Sequence, residues 1–204
     1  VQVWHWEAVK IQYATVAFFY AGPGAQIEPG IPELSGRKVY PKPALKRKPG
    51  AIEAADLRAR TAGDVPNQDM LPFGDAWSGG RQLWWFVHQP GAKLDLELPV
   101  KTTGTYSLSG AFTKAGDYGT VQLGLDGKEL GQSIDLFEPF PSVIHTGDVP
   151  PGIATLDAGS HTLSITLKGR NPRSTDYLVG MDWIKLTSAP AGSFPDRRDS
   201  RNRR

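Results

Sequence analysis

Asp182 is the residue whose chemistry most needs an explanation. It lies in the run VGMDWIKL (179–186), and the two-residue period of a strand gives it the side that Ile184 and Leu186 occupy. A carboxylate among apolar neighbours is costly unless it is paired, hydrogen-bonded or bound to a cation. Glu53, in IEAADL (52–57), shares its phase with Leu57 in the same way. Trp183 falls opposite Asp182 and reads as packing on a sheet surface.

Three loop groups combine a ring with polar side chains. Trp77 stands beside Asp75 and the flexible Ser78-Gly79-Gly80; Asp117 precedes Tyr118; and Asn171, Arg173, Asp176 and Tyr177 crowd the approach to the last strand. Such sets can stack on a flat apolar surface and bond the polar groups at its edge, since loops at the ends of a scaffold hold most binding sites. Each reads equally well as an ordinary turn. Trp84 and Trp85 are adjacent within a strand and point to opposite faces, so at least one belongs to the core. Catalytic patterns are missing: there is no HExxH, GxSxG, GxGxxG or phosphate loop, and His5, His88, His145 and His161 are dispersed.

The elements that position these residues are strands. Leu94, Leu96 and Leu98 alternate with Lys93, Asp95 and Glu97, and similar alternation recurs at 106–112, 121–125 and 163–167. Asp126-Gly127 lies between two such runs as a hairpin turn, and Asp157-Ala158-Gly159 leads into another. Short one-sided strands with regular turns predict an all-β fold, an antiparallel sandwich or jelly roll, over 51–188.

The rest of the chain divides by composition. Residues 1–25 are strand-forming and aromatic, and their apolar side chains require a sheet from outside this sequence. Residues 26–50 carry five prolines among charges and read as a linker, and 189–204 read as a disordered basic tail. The opening on Val1 within an aromatic run suggests a fragment whose beginning lies upstream. The net charge of +2 owes much to residues 42–48 and 197–204, outside any expected folded face, which argues against nucleic acid as a partner. No stretch approaches the roughly 20 apolar residues that span a bilayer, so no membrane partner is expected either. With no cysteine, disulfides, thiolate metal sites and thiol nucleophiles are excluded.

The runs IEAADL, WSGGRQLWW (77–85), KLDLELPV (93–100), GTYSLSGAF (104–112), VQLGLDGKELG (121–131), LDAGSHTLSITL (156–167) and VGMDWIKL together resemble the successive strands of the galactose-binding-like sandwich of family 6 and 35 carbohydrate-binding modules. In turn, IQYATVAFFYA (11–21) resembles the closing strand of glycoside hydrolase family 172 catalytic domains, formerly domain of unknown function 2961. The resemblance implies a non-catalytic module that holds an upstream hydrolase on its polysaccharide or oligosaccharide, outside the cell or in a periplasm. Trp77, Tyr118, Asn171, Arg173, Asp176 and Tyr177 are then the candidate sugar contacts. It also implies a structural calcium ion. In the resembled modules the last strand supplies an aspartate, here Asp182, and the first strand a Glu-x-Glu pair, here Glu53 with Ala55 in the second place. The alternative is that Glu53 and Asp182 bond backbone amides or pair with Arg58 or Arg81. A ligand-binding Asn expected two positions before the aspartate is replaced by Gly180, which puts the usual cleft chemistry in doubt. The competing function is an assembly module, with Phe73, Phe137 and Phe140 facing protein.

Overall fold

A computed structural model of the chain describes residues 45–60 and 65–189. The expectations for 1–25, for 26–44 of the linker and for the tail beyond residue 189 fall outside these residues. The chain divides into two units, Val1–Ala44 and Leu45–Arg204. The described part belongs to the second.

It holds twelve strands: β1 (Ala51–Glu53), β2 (Arg58–Ala59), β3 (Asn67–Asp69), β4 (Arg81–Trp85), β5 (Lys93–Val100), β6 (Gly104–Lys114), β7 (Gly119–Leu125), β8 (Lys128–Asp135), β9 (Ile144–His145), β10 (Val149–Leu156), β11 (Gly159–Arg170) and β12 (Val179–Ser188). One sheet runs β10-β6-β12-β4-β3, with β1 on β12 and β9 on β6; the other runs β2-β5-β11-β7-β8. Every strand pairing is antiparallel. The expected antiparallel β-sandwich is therefore present.

Its core lies where the alternation put it. Leu94, Leu96 and Leu98 are buried, and β11 sets Leu163 opposite Leu96 and Ile165 opposite Leu94. From the other sheet, Leu83, Trp85, Phe112, Met181 and Ile184 complete the same cluster. Each fully buried leucine removes enough apolar surface from water to stabilise the fold by about 2 kcal/mol. The Asp126-Gly127 hairpin has φ of 48° and 79°, the left-handed pair that matches the twist of β7 and β8.

Two expectations about the strands need correction. IEAADL is not one strand: a 3-10 turn over Ala54–Asp56 breaks it, so β1 joins one sheet and β2 the other. The linker also ends earlier than expected, because Leu45–Gly50 already belong to the second unit. Lys46 accepts a bond from the Gly79 amide, and the Lys48 amide donates to Ser78 Oγ at 2.8 Å.

Candidate functional site

A β-bulge in β12 decides where Asp182 points. Met181 pairs with Phe112 and Trp183 with Ala111, so Asp182 is an extra residue with no partner on β6. The insertion reverses the strand's phase: Val179, Met181 and Ile184 lie in the core cluster, and Asp182 and Trp183 share the outer face. Asp182 is thus not on the side of Ile184 and Leu186, and Trp183 is not opposite it. Trp183 is only 2% exposed, with the Lys48 ammonium standing 4.9 Å from its ring.

Asp182 and Glu53 are both buried, and Ser78 bridges them. The Ser78 amide donates to Asp182 Oδ2 at 3.0 Å and its hydroxyl to Glu53 Oε1 at 2.6 Å. Gly79 and Gly80, at φ of 63° and 67°, turn the chain so that both Ser78 donors face inward. His145 Nε2 meets Asp182 Oδ2 at 2.9 Å while its Nδ1 accepts from the Gly147 amide at 3.0 Å. That second bond places the ring proton on Nε2, which therefore donates to the carboxylate. Neither Arg58 nor Arg81 is the partner: Arg81 bonds Asp56, and Arg58 lies on β2 in the other sheet. Glu53 Oε2 and Asp182 Oδ1 remain buried with no partner. Among the described residues no three His, Asp or Glu side chains converge as metal ligands, so any cation here would draw its other ligands from backbone oxygens or water.

Trp77 and Tyr118 have no open face. Trp77 is 3% exposed, its indole N–H donates to Thr113 Oγ1 at 2.7 Å, and His145 meets its ring edge-on at 5.6 Å. Tyr118 is 4% exposed with its hydroxyl accepting from Gln82 Nε2 at 3.2 Å, and burial pushes its phenol well above the ordinary range. Sugar stacking on either ring, expected from their loop positions, is corrected: Tyr118 packs in the core cluster with its hydroxyl turned to Gln82, and Trp77 is closed off by Thr113 and His145. The polar outer face is organised by Gln82, which donates to Gln68 Oε1 at 2.6 Å and accepts from Thr113. Gly180 leaves room for it, since a Cβ there would stand 2.4 Å from Gln82 Oε1.

The remaining candidates do meet, at one end of the sandwich. Asn171 donates to Asp135 at 3.0 Å and caps its own turn by accepting from the Arg173 amide; the Arg173 guanidinium lies 4.9 Å above the Phe137 ring. Asp176 pairs with His88 at 3.0 Å, and Tyr177 lies half-buried under Arg170 at 4.7 Å. The Thr175 amide ties this loop to Gly116 at 3.0 Å. Next to Gly116 stands Phe140, 84% exposed, whose Cβ would lie 3.3 Å from a Cβ on that glycine. Burial, reinforced by the negative charge of Asp176, raises the Asp117 carboxyl above its usual range despite a backbone hydrogen bond that lowers it. A groove of about 780 Å³ adjoins this end, lined by Lys114, Ser133, Asp135, Ile144, His145 and Thr146 among others. Ser78, Gln82 and His145 were not singled out in the sequence as functional. The Ser-Gly-Gly turn signals the first, and nothing local signals the other two.

No family model matches the chain, and no curated protein matches it. Similar solved structures include a Paenibacillus xanthan lyase, at 21% identity and a TM-score of 0.61, covering 72% of this chain and 14% of the lyase. They also include a Podospora anserina mannanase carrying a family 35 carbohydrate-binding module, at 22% identity and a TM-score of 0.45, covering 68% of this chain and 27% of that one. A family 35 carbohydrate-binding module from Clostridium thermocellum is matched at 20% identity and a TM-score of 0.46, with 70% of this chain and all of that one covered. This chain spans about one seventh of the lyase and one quarter of the mannanase. The likeness to the lyase shows a shared fold.

Proposed function

We propose that the sandwich is a non-catalytic carbohydrate-binding module whose sugar site is the loop end around Phe140. The observation that carries this reading is the ring itself: it is the most exposed large apolar side chain among the described residues and stands at a loop end rich in Asn171, Arg173, Asp176 and Asp117. An open aromatic face beside hydroxyl-bonding groups suits a pyranose, whereas an assembly surface would be broader and more evenly apolar. The reading keeps Asn171, Arg173, Asp176 and Tyr177 as candidate contacts and adds Phe140 and Phe137. It assigns no chemistry to the chain itself. The module would act by holding an upstream catalytic domain of the family 172 kind on its polysaccharide, in a secreted or periplasmic protein.

A structural calcium belongs to the same proposal. The two buried carboxylate oxygens without partners, Glu53 Oε2 and Asp182 Oδ1, fit a hard cation that binds oxygen, and such a cation would neutralise the charge they bury. Glu53 and Asp182 would hold it, with Ser78 and His145 fixing the other oxygen of each.

Titration calorimetry of the full chain against plant, algal and bacterial polysaccharides tests the sugar reading. One glycan is expected to bind, and Phe140→Ala to weaken it by about tenfold or more, the loss of one stacked ring. Heat-free titrations across the whole panel for the unaltered chain would remove the proposal.

A further inference from the structure

Arg47 is the one basic residue of the 45–50 segment whose ion pairs are too long for a hydrogen bond. Lys46 bonds Asp75 at 3.4 Å, and Lys48 bonds Asp148 at 2.7 Å. The Arg47 guanidinium instead lies 3.8 Å from Glu53 Oε1 and 3.6 Å from Asp56 Oδ2, too far for a hydrogen bond to either. Asp56 already accepts from Arg81. Arg47 is thus held by charge alone, with its side chain 58% exposed.

Gly79 shows what lies beside it. A Cβ on that glycine would stand 3.6 Å from Glu53 Oε2, the oxygen without a partner, and 3.9 Å from Arg47 Cζ. The bare backbone of Gly79 therefore borders one small gap, with the unpaired oxygen on one side and the guanidinium on another. A cation bound to Glu53 Oε2 would meet Arg47 at close range in that gap. Only one of the two positive groups can occupy it at low cost.

We propose that Arg47 is a tethered competitor for the Glu53–Asp182 cation site, so that divalent-cation binding expels its side chain. The inference rests on the cation reading given above. It makes the segment that enters the sandwich sensitive to cation concentration: without the ion Arg47 leans on Glu53, and with it the guanidinium turns to Asp56 and solvent. The backbone bonds from Gly79 to Lys46 and from Lys48 to Ser78 are unaffected, so the response is confined to one side chain.

The test is calcium titration calorimetry of the full chain, of Arg47→Gln and of Lys46→Gln. The second variant removes the same charge from the neighbouring residue, which does not touch Glu53. Arg47→Gln is expected to bind calcium about three- to tenfold more tightly than the unaltered chain, the scale of one partly screened charge at this distance, and Lys46→Gln to change it by less than about twofold. Equal affinities for all three proteins, or an equal gain in both variants, would overturn the competition while leaving the cation site standing. No binding by any of them would remove the cation site, and the proposal with it.

Discussion

Gly180→Ala puts the outer polar layer to a direct test. The added methyl would lie 2.4 Å from Gln82 Oε1, 2.7 Å from its Nε2 and 2.8 Å from its Cδ, so the amide has to leave its place. Gln82 is fully buried, and its amide holds three partners, Gln68, Tyr118 and Thr113. Losing two or three net bonds of about 1 kcal/mol each, with one partner left unsatisfied at about 1–3 kcal/mol, outweighs the roughly 0.5–1 kcal/mol that alanine gains over glycine in a strand. The expected net destabilisation is about 2–5 kcal/mol. Urea unfolding of a double-mutant cycle measures it. In a Gln82→Ala background the clash partner is gone, and Gly180→Ala should then cost under about 0.5 kcal/mol or stabilise slightly. If the glycine substitution costs the same with and without Gln82, the argument that this side chain dictates the glycine is wrong.

Two further outcomes follow from the same structure. Trp77→Phe keeps the packing but leaves Thr113 without the indole N–H, so thermal unfolding should report a loss of about 1–2 kcal/mol while glycan affinity stays unchanged; lost affinity with intact stability would return Trp77 to the sugar site. His161 and Asp126, 2.6 Å apart, set a pH window. The hydrogen bonds to Asp126 and to the Asp157 carbonyl raise His161 above its ordinary 6.5, so its contribution is complete below that value and fades as pH rises through the raised one. Asp126, although burial opposes it, is drawn below 3.8 by the Thr162 amide and His161, so its contribution is complete above 3.8 and fades as pH falls through the lowered value. The pair therefore stabilises most between those two values. NMR titration should show His161 above 6.5 in the unaltered chain and lower in Asp126→Asn; an unmoved midpoint contradicts the pairing.

What could be read in the sequence was whatever repeats locally. Leu94, Leu96 and Leu98 declare β5 and its buried face by alternation alone, and Asp126-Gly127 declares its hairpin by the left-handed conformations that only such residues adopt easily. The bulge at Asp182 has no such signature. One extra residue inverts the phase of a strand, and only the partner strand reveals it, so a period counted back from Ile184 puts Asp182 on the wrong face. Likewise the turn at Ala54–Asp56 interrupts a run that reads as continuous strand. Trp77 and Tyr118 lie elsewhere for another reason: loop position predicts exposure only when the ring does not pack back onto the sandwich, and both of these rings do. The loop-end cluster of Asn171, Arg173, Asp176 and Tyr177 was legible because it is local in sequence. Its aromatic companion Phe140 comes from a different loop.

β12 has a consequence for how the molecule is made. It pairs with β1, β4 and β6, and of the twelve strands it is the last to leave a ribosome. β5, β11, β7 and β8 can pair as soon as Arg170 emerges, but the facing sheet lacks its middle until Val179–Ser188 follow. Ala51 meanwhile waits for Lys185, almost the whole domain away. During synthesis the nascent chain therefore holds one sheet with its apolar face uncovered, the state in which a chaperone is needed most.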